Sequence, residues 1–337
     1  MLSRADPLPH LARGLFIQAD EIIERCQLTP GTSVHVVRSY LAPLGCFVAD
    51  RLGSAWTTLD LDDDDETFAL ALDPSEAAAY HRVVATFAPH FDAISAASLD
   101  EASVLGRRHG LSIRTLVNAV DTSRSSEHTV VKTSTLLFVG NLTYTPNVDA
   151  AEFLAYEVLP MLRARIPGPV ELLIIGAHDE NGPVGKIGRI DGVTVTGFVD
   201  DLEPFYARAS AVVAPLRLGA GTRIKLLEAF AYRVPVIATH IAVAGLDVET
   251  GVHFLQAETA DSFAVAAARL VRDHDFARAM TASAFDYVRR AHSPGRFDED
   301  LAALFEDARE QGARRLRKMD STNAPDEPRE DISRTTT

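Results

Sequence analysis

Length, composition and charge narrow what this chain can be. Its 337 residues suffice for about two domains, and 47% hydrophobic with 24% charged residues is typical of a globular protein with a sizeable core. The net charge of -14 argues against a nucleic-acid partner, because phosphate contacts need a basic surface. Cys26 and Cys46 have no metal-ligand spacing, and no apolar run approaches the roughly 18 residues of a membrane span. We expect a cytoplasmic protein without a transmembrane segment.

The first 121 residues alternate short apolar runs with helical stretches, which is typical of parallel α/β layers. The pattern predicts strands at 33–37, 56–61 and 112–117, and helices at 75–88 and 98–109. A Ser- and Thr-rich stretch at 122–134 then predicts a linker. Residues 1–121 are thus expected to form a Rossmann-like domain, the first of two.

A more regular alternation follows and predicts a second Rossmann-like domain at 135–291. Strands are expected at TLLFVG, VELLIIG, VTVTG, AVVAPL and VPVIAT. Helices are expected at 147–165, 201–209, 222–232, 259–273 and 275–290. A C-terminal helix is predicted within 292–312, and the polar residues 313–337 are predicted to be a disordered tail because they have little to bury.

Glycines follow several of the predicted strands. Gly140, Gly176 and Gly197 end three of them, and the loop at 219–221 follows a fourth. Ligands of open α/β sheets bind beyond the carboxyl ends of the strands, so this edge is a candidate crevice. Each glycine taken singly is explained equally well as a residue that turns a corner.

The segment APLRLGAGTRIKLLEAFAYRVPVIAT, residues 214–239, predicts a strand, a glycine loop, a helix and a strand. A helix that begins near Thr222 directs free N–H groups at Gly219 and Gly221, where an anion can approach the backbone. Arg223 and Lys225 oppose the helix dipole in the first turn unless an anionic ligand binds there. The alternative is that both side chains extend into water.

Glu228 lies three residues after Lys225, so both side chains can serve one pocket. A carboxylate can accept both hydroxyl protons of a ribose diol. Without the neighbouring motif, a plain surface glutamate would be the simpler interpretation.

This stretch resembles the donor-site signature of retaining GT-B glycosyltransferases of family four, the glycosyl transferases group 1. The segments FVGNLTYTPNVDA and GFVDDLEPFYARASAVVAPL are also similar to that family. The resemblance implies a GT-B-like α/β fold with two Rossmann-type domains facing a cleft, of which the N-terminal one looks incomplete. A partner chain that completes this domain is therefore one possibility.

The resemblance also implies roles for individual residues. Lys225 and Arg223 would stabilise charge on the diphosphate, and Glu228 would hold the ribose. The remaining donor-site residues would be Gly219, Gly221, Thr222, Gly140, Asn141, Phe198 and Val199.

The sequence departs from the family pattern at three places. Ala220 stands at the position of the family's first glutamate. Asn141 replaces the usual arginine, and Pro146-Asn147 replaces the usual lysine–glycine pair.

The function implied is transfer of a sugar from a nucleotide-diphospho-sugar to a hydroxyl of a saccharide or lipid-linked saccharide, in polysaccharide or glycoconjugate synthesis. No cofactor is expected beyond this donor substrate. The alternative is an inactive GT-B remnant that binds a nucleotide sugar or a partner chain.

An acidic run at 60–66 raises the question of a metal site, because carboxylates suit Mg²⁺ or Ca²⁺. It lacks the spacing of a calcium loop, so we expect no metal and interpret the run as a strand end followed by a solvated loop. GAGTRI lacks the third glycine of a dinucleotide fingerprint, which argues against NAD.

Overall fold

The computed structural model describes residues 8–9, 19–70, 73–123, 134–217 and 224–322, which form two α/β domains. The N-terminal domain has a parallel sheet in which the strand order equals the chain order. Its strands are β1 (Val34–Val37), β2 (Thr57–Asp60), β3 (Ala93–Ala96) and β4 (Arg114–Thr115). Its helices are α1 (Ala19–Arg25), α2 (Ala42–Leu52), α3 (Asp65–Leu70), α4 (Pro74–Phe87) and α5 (Leu99–His109), with 3-10 turns at Ser39–Leu41 and Ala88–His90.

The C-terminal domain has a six-stranded parallel sheet of order β10-β9-β8-β5-β6-β7. Its strands are β5 (Thr135–Val139), β6 (Glu171–Ile175), β7 (Val193–Thr196), β8 (Ala211–Ala214), β9 (Val236–Ala238) and β10 (Leu255–Gln256). Its helices are α6 (Thr145–Phe153), α7 (Leu159–Arg163), α8 (Pro183–Ile187), α9 (Glu203–Tyr206), α10 (Ile224–Ala231), α11 (Ala260–Arg272) and α12 (His274–Ala291). A π-helical turn at Leu154–Val158 joins α6 to α7.

The central strands of this sheet are buried on both faces. Leu136 and Phe138 of β5 belong to one apolar cluster, whereas Leu137 belongs to the cluster on the opposite face. Successive side chains of a strand point to opposite faces, so a continuous apolar run is what a sheet covered by helices on both sides requires.

The last described helix, α13 (Pro294–Thr322), leaves the C-terminal domain and packs on β2 and β3 of the N-terminal domain. Leu304, Ala308 and Gly312 recur every four residues and form its buried stripe. The prediction of a disordered tail from 313 is therefore wrong for 313–322, since a narrow buried stripe is enough to hold an otherwise polar helix. Residues 323–337, and 124–133 of the predicted linker, lie outside the described residues.

The two connections between the domains touch each other. His292, between α12 and α13, lies with its Nδ1 2.8 Å from the carbonyl oxygen of Asn118. Val120 N–H donates to the carbonyl of His292 at 2.9 Å. The chain thus passes twice between the domains at one place.

None of the helices in the described part of the chain combines the length and the apolar character that a membrane span requires.

Candidate nucleotide-sugar site

The C-terminal sheet changes direction between β5 and β8. From β5 the chain adds β6 and β7 on one side, and then β8, β9 and β10 on the other. Helices that follow β5 and β8 consequently cover opposite faces, and a crevice opens between the carboxyl ends of these two strands. In open α/β sheets this crevice is where ligands bind.

A cavity of about 440 Å³ lies at this position. The ends of β5 and β8 form its apolar floor, and α10 forms one wall. Beyond these strands it is lined by Asn141, Tyr144, Asn147, Leu216, Ile224, Lys225, Leu226 and Ala242. The structure thereby brings together two residues that the sequence analysis named for the donor site, Asn141 and Lys225.

The loop after β5 is held by its own asparagines. Asn141 Oδ1 accepts hydrogen bonds from the backbone N–H of Thr143 at 3.1 Å and from its hydroxyl at 2.8 Å. Asn147 Nδ2 donates to the carbonyl of Asn141 at 2.8 Å. These bonds fix the backbone that follows Gly140, and Asn141 itself lines the cavity.

Lys225 lies in the first described turn of α10 and is half-buried. Burial lowers its pKa, an effect that the negative charge of Glu228 partly opposes. Among the described residues it forms no ion pair within 4.0 Å. A bound anion would add negative charge beside this ammonium group and favour its charged form.

Glu228 follows one turn later and is also half-buried. Burial raises its pKa, whereas the hydrogen bond from Tyr206 and the charge of Lys225 lower it. The Tyr206 hydroxyl donates to Glu228 Oε2 at 3.3 Å, and the Tyr206 ring stacks on Tyr232 with centroids 4.5 Å apart. The carboxylate is thus oriented by a fully buried tyrosine that the sequence analysis did not identify.

Other predicted donor-site residues are placed differently. Phe198 and Val199 follow β7, two strands away from β5, and do not line the cavity; Phe198 is 78% exposed. Gly219, Gly221, Thr222 and Arg223 lie outside the described residues.

The strand-end glycines do not all need a ligand to explain them. Gly176 has a φ of 151°, and a Cβ there would overlap the carbonyl oxygen of Gly140 on the neighbouring strand. Close packing of the β5 and β6 ends therefore accounts for Gly176. A Cβ at Gly197, by contrast, would meet nothing within 4 Å.

A second cavity of about 520 Å³ lies between the domains. Ser98, Glu101 and Thr115 line it from the N-terminal side, and Gly245, Asp247, Tyr287 and His292 are among its residues from the C-terminal side. Burial raises the pKa of Glu101 to about 7; the hydrogen bond from Ser98 opposes this shift, and the charges of Asp62, Asp63 and Asp64 add to it. Glu101 could not be recognised from the sequence, because a Ser-x-x-Glu pattern at 98–101 also serves as a simple helix cap.

The acidic run is not a solvated loop, which corrects the expectation from sequence. Arg38 pairs with Asp62 at 3.0 Å and with Asp63 at 2.7 Å, and it also pairs with Asp65. Arg108 pairs with Asp64 at 2.9 Å. Asp64 and Asp65 are each only 6% exposed, because two arginines distant in sequence converge on them.

Comparisons with known proteins give a family match for part of the chain and agree on the fold. Residues 133–273 match the family model described as glycosyl transferases group 1. No curated protein matches the sequence. Among solved structures, TarM has a TM-score of 0.72 at 13% identity, with 86% of this chain and 58% of that chain covered. This chain thus spans little more than half the length of TarM.

Two further structures cover more of their own length. HepE from Anabaena, solved in complex with UDP and glucose, has a TM-score of 0.69 at 12% identity, covering 88% of this chain and 84% of that one. Sucrose-phosphate synthase from Thermosynechococcus elongatus has a TM-score of 0.67 at 16% identity, covering 96% and 81%. The crevice between β5 and β8 therefore lies within the part of the chain that matches the glycosyl transferases group 1, residues 133–273, and the chain has the GT-B fold.

Proposed function

We propose that this protein transfers a sugar from a nucleoside-diphospho-sugar to a hydroxyl of a saccharide or lipid-linked saccharide, with retention at the anomeric carbon. The observation that carries the proposal is the cavity between the ends of β5 and β8, which Asn141 and Lys225 both line. The family match and the GT-B fold support the same class of activity.

The chemistry needs a site that stabilises a departing diphosphate. As the bond between the anomeric carbon and the phosphate oxygen breaks, negative charge grows on that oxygen, and a fixed cation lowers the barrier. Lys225 would supply this charge from a half-buried position, where its interaction with an anion is screened less than at the surface. Asn141 would donate a neutral hydrogen bond, and Glu228 would accept from the ribose hydroxyls.

The net charge of -14 makes this local arrangement necessary. The protein as a whole repels a nucleoside diphosphate, so affinity must come from a few groups at short range. HepE was solved with UDP and glucose, which makes UDP-glucose the first donor to test.

The test is turnover of UDP- and GDP-sugars by the full chain, followed by NMR of the released sugar or glycoside. We expect slow donor hydrolysis and a product with the anomeric configuration of the donor. A product of inverted configuration would contradict the retaining mechanism. Calorimetry with UDP, GDP and ADP at millimolar concentration separates the remaining outcomes: no heat refutes the nucleotide site, whereas binding without turnover supports a nucleotide-sugar-binding protein instead.

A further inference from the structure

A cluster of three metal-binding side chains lies in the N-terminal domain, apart from the cavity between β5 and β8. Glu66 belongs to α3, His81 to α4 and His109 to the end of α5. One ligand atom from each lies within 4.8 Å of the other two. Three separate helices thus direct two imidazole nitrogens and one carboxylate oxygen toward the same point.

The distances between these ligand atoms fit coordination of a single metal ion by all three side chains. His81 Nδ1 lies 3.1 Å and His109 Nε2 lies 3.4 Å from the same Glu66 oxygen, Oε2. Ligands about 2.0–2.1 Å from a tetrahedral zinc ion are separated from each other by about 3.3 Å. The two distances to the carboxylate bracket this value, so small movements of the imidazoles would complete the geometry.

His109 gives independent support for a ligand. Its side chain is only 1% exposed, and neither ring nitrogen has a hydrogen-bond partner. Buried polar groups in proteins are nearly always paired, and an imidazole with two unpaired nitrogens needs an explanation. Its Nε2 faces the carboxylate of Glu66 without the alignment of a hydrogen bond, and a metal ion between them would satisfy both groups.

The cluster is accessible from solvent on one side. His81 is 47% exposed, so an ion can reach the cluster from solvent and retain water at its fourth position.

Arg108 competes with a metal ion for Glu66 Oε2. Its guanidinium lies 3.3 Å from Glu66 Oε2. The same group also donates to Asp64 at 2.9 Å and to Thr67 at 3.0 Å. Arg108 therefore keeps two partners when an ion takes the Glu66 oxygen.

We propose that Glu66, His81 and His109 bind a divalent transition-metal ion of the zinc class. Two imidazoles and one carboxylate form a ligand set that zinc uses in proteins. An ion here ties α3, α4 and α5 together at one end of the N-terminal sheet, next to the buried carboxylates held by Arg38 and Arg108. The proposal differs from the expectation from sequence that this chain has no metal site, and it does not depend on the proposed transferase activity.

The experiment titrates the chelator-treated full chain with Zn²⁺ by calorimetry and with Co²⁺ by visible absorption. The wild type should bind one ion per chain at micromolar concentration, and Co²⁺ should give the intense bands of a four-coordinate site. His81→Asn and Glu66→Gln should each weaken Zn²⁺ binding by at least about tenfold. Because His81 is exposed, His81→Asn should fold normally, which circular dichroism checks.

The matched control is His90→Asn, which changes another exposed histidine of the same domain and should bind Zn²⁺ like the wild type. A sulfur-to-cobalt charge-transfer band would assign the ion to Cys26 or Cys46 and overturn the proposal. Equal Zn²⁺ affinity for His81→Asn, Glu66→Gln and the wild type would overturn it as well, as would the absence of stoichiometric binding to the wild type.

Discussion

Lys225 is the residue on which the proposed chemistry depends most directly. Burial lowers its pKa, so the ammonium group is held at a cost that an anionic ligand would offset. Lys225→Ala should weaken UDP binding about 10–100-fold, equivalent to about 1–3 kcal/mol, and leave uridine binding unchanged. Calorimetry with both ligands measures this difference.

Lys186→Ala is the matched control, since Lys186 is an exposed lysine on α8 outside the cavity. It should bind UDP as the wild type does. Equal losses of UDP and uridine affinity in Lys225→Ala would show that the lysine does not contact phosphate.

A test of Glu228 needs a substitution that preserves its hydrogen bond with the buried Tyr206 hydroxyl. Glu228→Gln keeps an acceptor for the Tyr206 hydroxyl and removes only the negative charge. The wild type should bind UDP about tenfold more tightly than 2′,3′-dideoxy-UDP, because the carboxylate accepts from the ribose hydroxyls. The variant should discriminate less between the two nucleotides. Full discrimination by Glu228→Gln would place the ribose elsewhere.

The raised pKa of Glu101 predicts how the stability of the protein depends on pH. Its pKa rises from 4.5 in the unfolded chain to about 7 in the folded protein, mainly because it is buried. Between these values the folded state binds more protons, so stability falls as pH rises from about 4.5 to about 7. The loss is at most about 3 kcal/mol, and solvent screening of this half-buried group reduces it.

Glu101→Gln should therefore be more stable than the wild type at pH 8 and equally stable at pH 4, as measured by urea denaturation. Asp100→Asn provides the contrast, because it removes an exposed acid from the same first turn of α5. It should destabilise slightly at pH 8 through the helix dipole. A stability difference for Glu101→Gln that does not change with pH would contradict the raised pKa.

At the scale of elements, α13 shows how close two backbones can come. A Cβ at Gly312 would overlap the carbonyl oxygen of Ala55, whereas a Cβ at Gly295 in the same helix would meet nothing within 4 Å. Replacing glycine by alanine inside a helix normally stabilises it by up to about 1 kcal/mol. Gly312→Ala should instead destabilise by about 1–3 kcal/mol, because the backbone of Ala55 has to move. Thermal unfolding compares it with Gly295→Ala, which should not destabilise the protein, and equal midpoints would refute the close approach.

The sequence predicted those elements that have a long apolar pattern or are rich in β-branched residues. Strands β5, β6 and β8 and helices α11 and α12 lie where their periodicity placed them, because each buries a broad apolar face. Strand β3 was missed, since AISA is short and built of small residues. Helix α2 was also missed because Pro43 and Gly45 interrupt its pattern, although proline is well tolerated in a first turn.

The candidate site could also be predicted in part, where its residues follow strands with a clear apolar pattern. Lys225 and Asn141 could be placed at one sheet edge because they follow recognisable strands. The partner of Glu228, Tyr206, could not be foreseen, because 22 residues separate the two and only the packing of α9 against α10 joins them. The same holds for the pairing of Arg38 and Arg108 with the acidic run, which depends on tertiary contacts alone.

At the scale of the whole molecule, α13 connects the stability of the two domains. Phe305 of this helix packs on Trp56, with ring centroids 5.1 Å apart. Trp56 is the single tryptophan of the chain, so its fluorescence reports on this contact. Phe305→Ala should shift the emission to longer wavelength and destabilise the N-terminal domain by about 1–3 kcal/mol.

UDP affinity should stay unchanged in Phe305→Ala, since the C-terminal domain has its own apolar clusters around its sheet. Leu316→Ala is the control, because Leu316 lies on the same helix and is 41% exposed. It should leave the fluorescence as in the wild type. Unchanged emission in Phe305→Ala would mean that α13 does not cover Trp56 in solution.

The docking of α13 also bears on how the protein is made. The ribosome synthesises β1 to β4 first, but the helix that covers this part of the N-terminal domain follows only after the whole C-terminal sheet. At about 5–20 residues per second, Trp56 and its neighbours wait roughly 12–50 s for their partner. During that interval the part of the N-terminal domain around Trp56 lacks the helix that covers it. Folding of the N-terminal domain is then completed after translation of the second domain, although its sequence comes first.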